Sequence, residues 1–286
     1  MQLKTALVID PSTDIRERLA QILLAPEWTI REANNNTAAL ELAQSTIFDL
    51  IITDQTSAAK EDVRFLQSIR DLHPETRVII LTDEGTPQDV LDAIREGAFS
   101  YFSRPFSLES LSEAVRSAMN APSWHDGIEV VSGTPHWVRL IARCDLETAD
   151  RLMRFVHEMI DLPEEEKHTV AAALQELLMN AMEYGGKFDP QHYVELSYIR
   201  TKRAVACRVK DPGEGFSLDE IHHAAVSNPP GDPLRHLNYR EAGRLRPGGF
   251  GILLSRNMVD ELFYNDKGNE VVMIKYVDQP ASKQAK

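Results

Sequence analysis

Residues 48–54 read FDLIITD, an apolar run that ends in an aspartate. A short run of β-branched and large apolar side chains predicts a buried strand. The runs LKTALVI at residues 3–9 and RVIILT at residues 77–82 have the same character, and segments of helical periodicity separate these runs. Strands that alternate with helices predict a parallel, doubly wound α/β sheet with helices on both faces.

Polar side chains stand where these predicted strands end. Asp10 follows the strand at residues 3–9, Asp54 follows the apolar run FDLIIT, and Thr82 closes the run RVIILT. Ligands of open parallel sheets bind at the carboxyl ends of the strands. We therefore expect these three side chains to gather into a site at one edge of the sheet.

The motifs LVID, FDLIITD, VIILT and GAFSYFSRPF resemble those of response-regulator receiver domains, over about residues 1–120. The resemblance implies a flavodoxin-like fold, Mg²⁺ held by acidic side chains, and an upstream histidine kinase as a partner. It implies that Asp54 is the phosphoacceptor and that Asp10 and Asp54 are metal ligands. It also implies that Thr82 is the switch hydroxyl and Tyr101 the aromatic side chain that follows its movement.

Two residues depart from the receiver pattern. Pro11 stands where the family has a second acid, and proline offers no ligand atom. Arg104 stands where the family has a lysine, and it keeps the charge with a different reach and hydration. A site short of one carboxylate is expected to bind Mg²⁺ weakly. Two interpretations stay open: phosphorylation of Asp54, or a degenerate receiver that serves docking or dimerisation.

The 286 residues suffice for two domains. Residues 121–135 contain two prolines and two glycines around a short IEVV run, which predicts a linker with room for one small strand. We therefore predict a receiver-like domain over residues 1–120, a second domain over 136–278 and a disordered tail over 279–286.

The second domain has a different order of elements. Residues 137–144 read WVRLIARC and alternate like a strand, and two helical segments follow. Two strands, a long irregular stretch, one helix and two final strands come next. This order predicts an α+β sandwich, with helices over one face of a mixed sheet.

Two acid-bearing motifs lie in this domain. In QELLMNAMEYGG, Glu176 and Asn180 are four residues apart and share one face of a helix. Such a pair most often forms a solvated helix face. In DPGEGF, Asp211 follows a strand, and Gly213 and Gly215 let the backbone turn tightly and approach a ligand.

A glycine run opens the last helix. Gly248, Gly249 and Gly251 precede an amphipathic segment, and a helix N-terminus with glycines is suited to phosphate binding. It is not a Walker loop, because no Gly-Lys-Ser/Thr follows.

Together, the three motifs resemble the nucleotide site of the GHKL (Bergerat-fold) ATPases over residues 137–277, and most of all the anti-sigma-factor serine kinases. The resemblance implies ATP and Mg²⁺ as cofactors. It implies that Asn180 is the metal ligand, Asp211 the acceptor for the adenine amino group and Glu176 the catalytic base. The glycines would shape the base pocket (Gly213, Gly215) and hold the phosphates (Gly248, Gly249, Gly251).

Residues 216–247 would be the lid over the nucleotide. They carry four arginines that are candidates to contact phosphates or an acidic partner: Arg235, Arg240, Arg244 and Arg246. One departure follows in the final strand, where the family often has Gly-Thr and this chain has Gly268-Asn269-Glu270.

The leading hypothesis is a partner switch. The ATP-binding domain would phosphorylate a serine of an anti-anti-sigma (STAS-type) protein, sequester a sigma factor, or do both, under control of the receiver. One alternative is a non-catalytic module that binds ATP and sequesters a partner. A histidine kinase is less favoured, because His157 lies inside the second domain without two long dimerisation helices before it.

Composition and charge restrict the partners and the location. The formal net charge of −13 argues against direct binding of nucleic acid. No apolar stretch is long enough for a membrane span and the N-terminus lacks a signal-peptide pattern, so we expect a cytoplasmic protein with no membrane partner. The resemblance leaves the oligomeric state open, with a homodimer as one option.

Overall fold

The computed structural model describes residues 3–9, 11–24, 26–54, 59–83, 85–120, 127–216, 232, 234–242 and 251–277. The chain divides into two compact units. The first comprises residues 1–129 with 150–159, and the second comprises residues 130–149 with 160–286. None of the described helices has both the length and the apolar character that crossing a membrane requires.

The first unit contains a sheet of five parallel strands in the order β2-β1-β3-β4-β5. The strands are β1 (Lys4–Ile9), β2 (Trp28–Ala33), β3 (Leu50–Thr53), β4 (Arg77–Thr82) and β5 (Ser100–Ser103). This order confirms the doubly wound sheet that the alternating pattern predicted. The central strands β1, β3 and β4 are apolar along most of their length because helices cover both of their faces.

Five helices connect and follow these strands: α1 (Thr13–Ile22), α2 (Asn36–Ser45), α3 (Ala59–Leu72), α4 (Pro87–Arg95) and α5 (Leu108–Asn120). Helix α4 begins with a capping box, in which the Thr86 hydroxyl accepts from the backbone N–H of Asp89 and the Asp89 carboxylate accepts from that of Thr86. Pro87 stands in its first turn, where a missing N–H costs nothing.

Helix α6 (Leu146–Met159) places its last ten residues in the first unit. There, Nε of Arg151 donates to the carbonyl oxygen of Phe99 at 3.2 Å, and the guanidinium lies 4.7 Å from the centre of the Phe99 ring. The Glu158 carboxylate accepts from the backbone N–H of Ser103 at 3.2 Å. The C-terminal part of α6 is therefore hydrogen bonded to β5 and to the residue that precedes it.

The second unit contains a six-stranded sheet in the order β10-β11-β9-β8-β7-β6. The strands are β6 (Ile128–Thr134), β7 (Trp137–Arg143), β8 (Tyr193–Arg200), β9 (Ala204–Lys210), β10 (Glu261–Tyr264) and β11 (Glu270–Tyr276). Its other elements are α7 (Glu164–Asn180), a π-helical turn (Ala181–Gly185), α8 (Arg235–Ala242) and α9 (Gly251–Met258). Strand β6 lies at an edge of the sheet, within the stretch that the sequence assigned to the linker.

The sheet of the second unit differs from the predicted mixed sheet. The pairings of β7 with β8, β8 with β9, β9 with β11 and β10 with β11 are all antiparallel. Short turns join β8 to β9 and β10 to β11, and a chain that reverses in a short turn pairs antiparallel. The prediction of a mixed sheet was therefore wrong for these strands, whereas the predicted α+β layering is confirmed.

Helix α7 covers the sheet with an apolar stripe. Val170, Leu174 and Leu178 are each fully buried, and α7 packs against α9, β9 and β11. Strand β9 alternates as a half-covered strand should, because its buried side chains Val205 and Cys207 stand two residues apart. This packing brings the C-terminal half of α7 to the end of β9 and to the beginning of α9.

Candidate functional site

The C-terminal half of α7 meets the first residue of α9. A methyl group built on Gly251 would lie 2.6 Å from Oε2 of Glu176 and 3.4 Å from Nδ2 of Asn180. Glu176 is exposed and Asn180 is half-buried. The hydroxyl of Ser255 donates to the carbonyl oxygen of Ala173 at 3.3 Å, which ties α9 to α7. Glu176, Asn180 and Gly251 are thus close together. Because Gly251 has no side chain, both polar side chains fit beside it.

Asp211 lies directly after β9 and against the glycine that ends the π-helical turn. A methyl group on Gly185 would overlap the Asp211 carboxylate, and one on Gly213 would lie 2.8 Å from Oδ1 of Asp211. The same Oδ1 accepts from the backbone N–H of Gly213 at 2.8 Å. Burial raises the pKa of Asp211 above its ordinary value, and the hydrogen bond from Gly213 acts in the opposite direction. Asp211 and Gly213, which the sequence predicted as parts of one site, are therefore in direct contact. Gly185 contacts the same carboxylate, and the sequence analysis did not single it out.

Gly215 has a different role from Gly213. Its φ is +83°, and a methyl group on it would overlap the carbonyl oxygen of Lys267 in the turn between β10 and β11. Gly268 in that turn has a φ of +76°, and a methyl group on it would overlap the carbonyl oxygen of Phe216. Each glycine thus lets one backbone approach the other, in a conformation that other residues rarely adopt. Gly215 therefore allows the loop after β9 to pack closely against the turn between β10 and β11.

Asn269 is a second residue beside Asp211 that the sequence analysis did not assign to the candidate site. It is 7% exposed, and its Nδ2 donates to the carbonyl oxygens of Asp211 at 3.2 Å and Gly213 at 3.4 Å. Its backbone carbonyl accepts from the N–H of Asp211 at 3.0 Å. Nδ2 of Asn265 donates to its Oδ1 at 3.0 Å. The departure at Gly268-Asn269-Glu270 was the available signal, and it marks the side chain that holds the loop of Asp211.

Two aromatic rings stand beside this loop. The rings of Phe216 and Tyr264 pack edge to face with their centres 5.2 Å apart. Burial raises the pKa of Tyr264, and the negative charge of Asp211 adds to the effect. Two aromatic rings and the Asp211 carboxylate therefore lie close together beyond the end of β9.

The rest of the predicted phosphate-binding region lies outside the described residues. The residues concerned are Gly248, Gly249, Arg244 and Arg246. In the first unit, the predicted metal ligand Asp10 also lies outside the described residues. Arg235 is exposed at the beginning of α8, and Arg240 belongs to the same helix. The predicted roles of these residues stay predictions.

In the first unit, Asp54 and Thr82 are both connected to Arg104. Asp54 is 2% exposed and Thr82 is 3% exposed. Nη2 of Arg104 forms a short hydrogen bond and ion pair with Oδ1 of Asp54. The backbone N–H of Arg104 donates to the carbonyl oxygen of Thr82 at 2.9 Å. The carboxyl ends of β3, β4 and β5 thus bring these predicted residues together.

Tyr101 is fully buried in β5. A methyl group built on Gly85 would lie 2.5 Å from the Tyr101 hydroxyl oxygen, so the ring points toward the loop that follows β4. Burial raises the pKa of Tyr101, and the charges of Asp89, Glu158 and Asp62 add to this effect. Within the described part of the chain, its hydroxyl has no hydrogen-bond partner.

Two family models match the chain, one in each part. The response regulator receiver domain matches residues 6–116, and the histidine kinase-like ATPase domain matches residues 142–275. The chain joins a receiver domain to a histidine kinase-like ATPase domain. ATP binding and an upstream phosphodonor such as a histidine kinase are proposals that these two matches support.

Similar proteins match over the receiver part. The response regulator protein PilR of Pseudomonas aeruginosa is 33% identical over 119 residues, which are 42% of this chain and 27% of that protein. The chemotaxis protein CheY of Bacillus subtilis is 26% identical over 40% of this chain and 96% of that protein. A receiver domain structure from Clostridium thermocellum is 30% identical, with a TM-score of 0.36, and covers 41% of this chain and 95% of that one. The chain thus spans about a quarter of the length of PilR.

Proposed function

We propose that the ATPase domain is a protein serine kinase that phosphorylates an anti-anti-sigma partner of the STAS type, or sequesters a sigma factor, under control of the receiver. The observation that carries this proposal is the place of Glu176, beside Asn180 and the first residue of α9. A carboxylate in that place has the chemistry of a general base, and a neighbouring amide oxygen has that of a metal ligand.

The exposure of Glu176 supports a protein substrate. A base that faces solvent can be reached by a hydroxyl group on another protein. In the proposed step, the Glu176 carboxylate accepts the proton of the serine hydroxyl. The serine oxygen forms a bond to the γ-phosphorus of ATP, the bond from that phosphorus to the β–γ bridging oxygen breaks, and ADP leaves.

Asp211 is proposed to recognise the adenine base. A carboxylate has about four acceptor sites, so Asp211 can accept from an amino group of the base in addition to the N–H of Gly213. Asn269 holds the backbone on which Asp211 stands. Asp211 and Asn269 together would fix the orientation of the base, and Gly213 and Gly215 would shape its pocket.

Mg²⁺ is proposed to be held by Asn180 and the ATP phosphates. The side chain of Asn180 faces the beginning of α9 and carries an oxygen of the kind that Mg²⁺ prefers. The ion would neutralise negative charge on the phosphates. Gly248, Gly249 and Gly251 would contribute backbone N–H groups to the same phosphates.

The role of Glu176 is tested by measuring transfer of labelled phosphate from ATP to a STAS-type protein. We expect Glu176→Gln to bind ATP like the wild type and to transfer phosphate ~10²–10⁴-fold more slowly, because it can no longer accept the proton. Glu165→Gln is the matched control, since Glu165 is an exposed glutamate in the first turn of the same helix. It should transfer at the wild-type rate.

Two outcomes would count against the proposed kinase. Transfer at the wild-type rate by Glu176→Gln would exclude Glu176 as the base. Tight binding of ATP without transfer by the wild type would leave a non-catalytic module that sequesters its partner.

A further inference from the structure

The carboxylate of Asp54 is enclosed, and both of its oxygens are engaged. Its side chain is 0% exposed. Oδ2 accepts from the backbone N–H of Ser12 at 2.6 Å, and Oδ1 is paired with Nη2 of Arg104. A buried carboxylate requires a compensating charge, because its removal from water costs several kcal/mol. Arg104 supplies that charge within the chain.

Of the two carboxylates predicted as metal ligands in this unit, the described residues include Asp54 alone, because Asp10 lies outside them. The position before Ser12 is Pro11, whose side chain has no ligand atom. The other buried carboxylate described in this unit, Asp62, accepts from Nδ2 of Asn36 at 3.1 Å and from the Thr53 hydroxyl at 3.4 Å. A cation at Asp54 would also meet the positive guanidinium of Arg104, and like charges repel.

Arg104 is held in place from several directions. Its Nη1 pairs with Oδ1 of Asp83 at 2.9 Å, while its Nη2 pairs with Asp54. Its guanidinium lies 5.5 Å from the centre of the Phe106 ring. The planar fork of arginine can serve two carboxylates at once, which a lysine ammonium with its single nitrogen does less well.

The charge of Arg104 is secured by the same contacts. Burial, the largest influence, acts to lower the pKa of Arg104. The hydrogen bond and the charge of Asp54, together with those of Asp83, outweigh burial and raise the pKa above its ordinary value. A guanidinium is not deprotonated in proteins, so the ion pairs of Arg104 with Asp54 and Asp83 place a permanent positive charge beside Asp54.

We propose that Arg104, positioned by Asp83, is the built-in counter-ion of Asp54 and takes the place of the divalent cation in this receiver. The metal-free, unmodified form is then the stable state of the site. A ligand that binds Oδ1 of Asp54 must first displace Arg104. This inference concerns the receiver alone and is independent of the proposed kinase activity.

The test is the thermal midpoint of the full chain without nucleotide, measured with and without Mg²⁺. The wild type should show no increase with Mg²⁺ that depends on Asp54. Arg104→Ala should unfold at a lower temperature without the ion and should regain stability when Mg²⁺ is added. Its apparent affinity for Mg²⁺ should be about tenfold or more above that of the wild type, because a neighbouring positive charge is gone.

Three further variants make the result specific. The double variant Asp54→Asn/Arg104→Ala should show no rise in thermal midpoint with Mg²⁺. Asp83→Asn alone should show a rise with Mg²⁺ that is smaller than that of Arg104→Ala. Arg16→Ala is the control, since it removes an exposed pair with Glu32 at 3.0 Å. It should behave as the wild type does with Mg²⁺.

The proposal is overturned if the wild type gains as much Asp54-dependent stability from Mg²⁺ as Arg104→Ala does, or if Arg104→Ala responds no more than Arg16→Ala. If Arg104→Ala does not fold, Arg104→Lys replaces it. The lysine keeps the charge but cannot form the fork between Asp83 and Asp54, so its response to Mg²⁺ should exceed that of the wild type. An unchanged response would overturn the proposal equally.

Discussion

Asn269 and Asp211 illustrate what single residues contribute to the ATPase domain. The two residues are 58 positions apart in the chain, and three hydrogen bonds join Asn269 to the segment of Asp211 and Gly213. The carboxylate of Asp211 could be singled out from its motif. The amide that holds it was visible only as the departure at Gly268-Asn269-Glu270. Its contact with Asp211 could not be predicted, because a contact between distant segments leaves no local pattern in the sequence.

We predict that Asn269→Ala weakens ATP binding. The substitution removes the donor to two backbone carbonyls, and an unmet buried acceptor costs about 1–3 kcal/mol. The loop of Asp211 should become less ordered, so the dissociation constant for ATP in a titration should rise severalfold. Asn120→Ala is a matched control, because Asn120 is exposed at the end of α5. Equal ATP affinities of the two variants would contradict the assigned role of Asn269.

The departures in the receiver could be noticed as single residues but not interpreted from the sequence. Pro11 and Arg104 stood out against the family pattern. That Arg104 reaches both Asp54 and Asp83 depends on how β3, β4 and β5 end side by side. The sequence therefore indicated that the chemistry of the receiver site is altered. The structure shows that the partners of Arg104 are Asp54 and Asp83.

At the scale of helices and strands, periodicity predicted the type of element well and the pairing of strands less well. The apolar runs of β1, β3 and β4 have the length and composition of buried strands, and all three form. The antiparallel pairing of β9 with β11 joins strands separated by the whole lid segment and α9. No local pattern specifies such a partner, which is why a mixed sheet was predicted in its place.

Helix α6 also shows the limit of local patterns. Its apolar period predicted a helix, but the period does not specify which unit each part of the helix joins. Arg151 is 5% exposed and donates to the carbonyl oxygen of Phe99 within the first unit. A buried arginine with a carbonyl and a ring as partners cannot be distinguished from a solvated one in the sequence.

We predict that Arg151→Met destabilises the end of α6 and β5 by about 2 kcal/mol, from the loss of a charged hydrogen bond and of the contact with the Phe99 ring. Hydrogen exchange of the β5 amides measures this local loss of stability.

Arg154→Met is the control on the same helix. Burial lowers the pKa of Arg154, and its Nε and Nη2 have no hydrogen-bond partner among the described residues. Its replacement should cost less; a larger loss than for Arg151→Met would refute the prediction.

For the whole molecule, the motifs predicted a receiver followed by an ATP-binding domain, and the two family matches confirm that order. The class of protein is therefore accessible from short motifs, because each motif occupies a strand or helix end that the fold requires. The partner is not accessible in this way, since the surfaces that select a partner carry no comparable motif. The STAS-type substrate and the sigma factor remain proposals.

The most direct test of the proposed kinase is the chemical nature of the phosphorylated residue. The full chain is incubated with labelled ATP, Mg²⁺ and a STAS-type protein, and the label is analysed for stability to acid. We predict acid-stable phosphoserine on the partner, formed by the wild type and Glu165→Gln and lost in Glu176→Gln. Acid-labile label on His157 of the chain itself, with none on the partner, would contradict the assignment of a serine kinase.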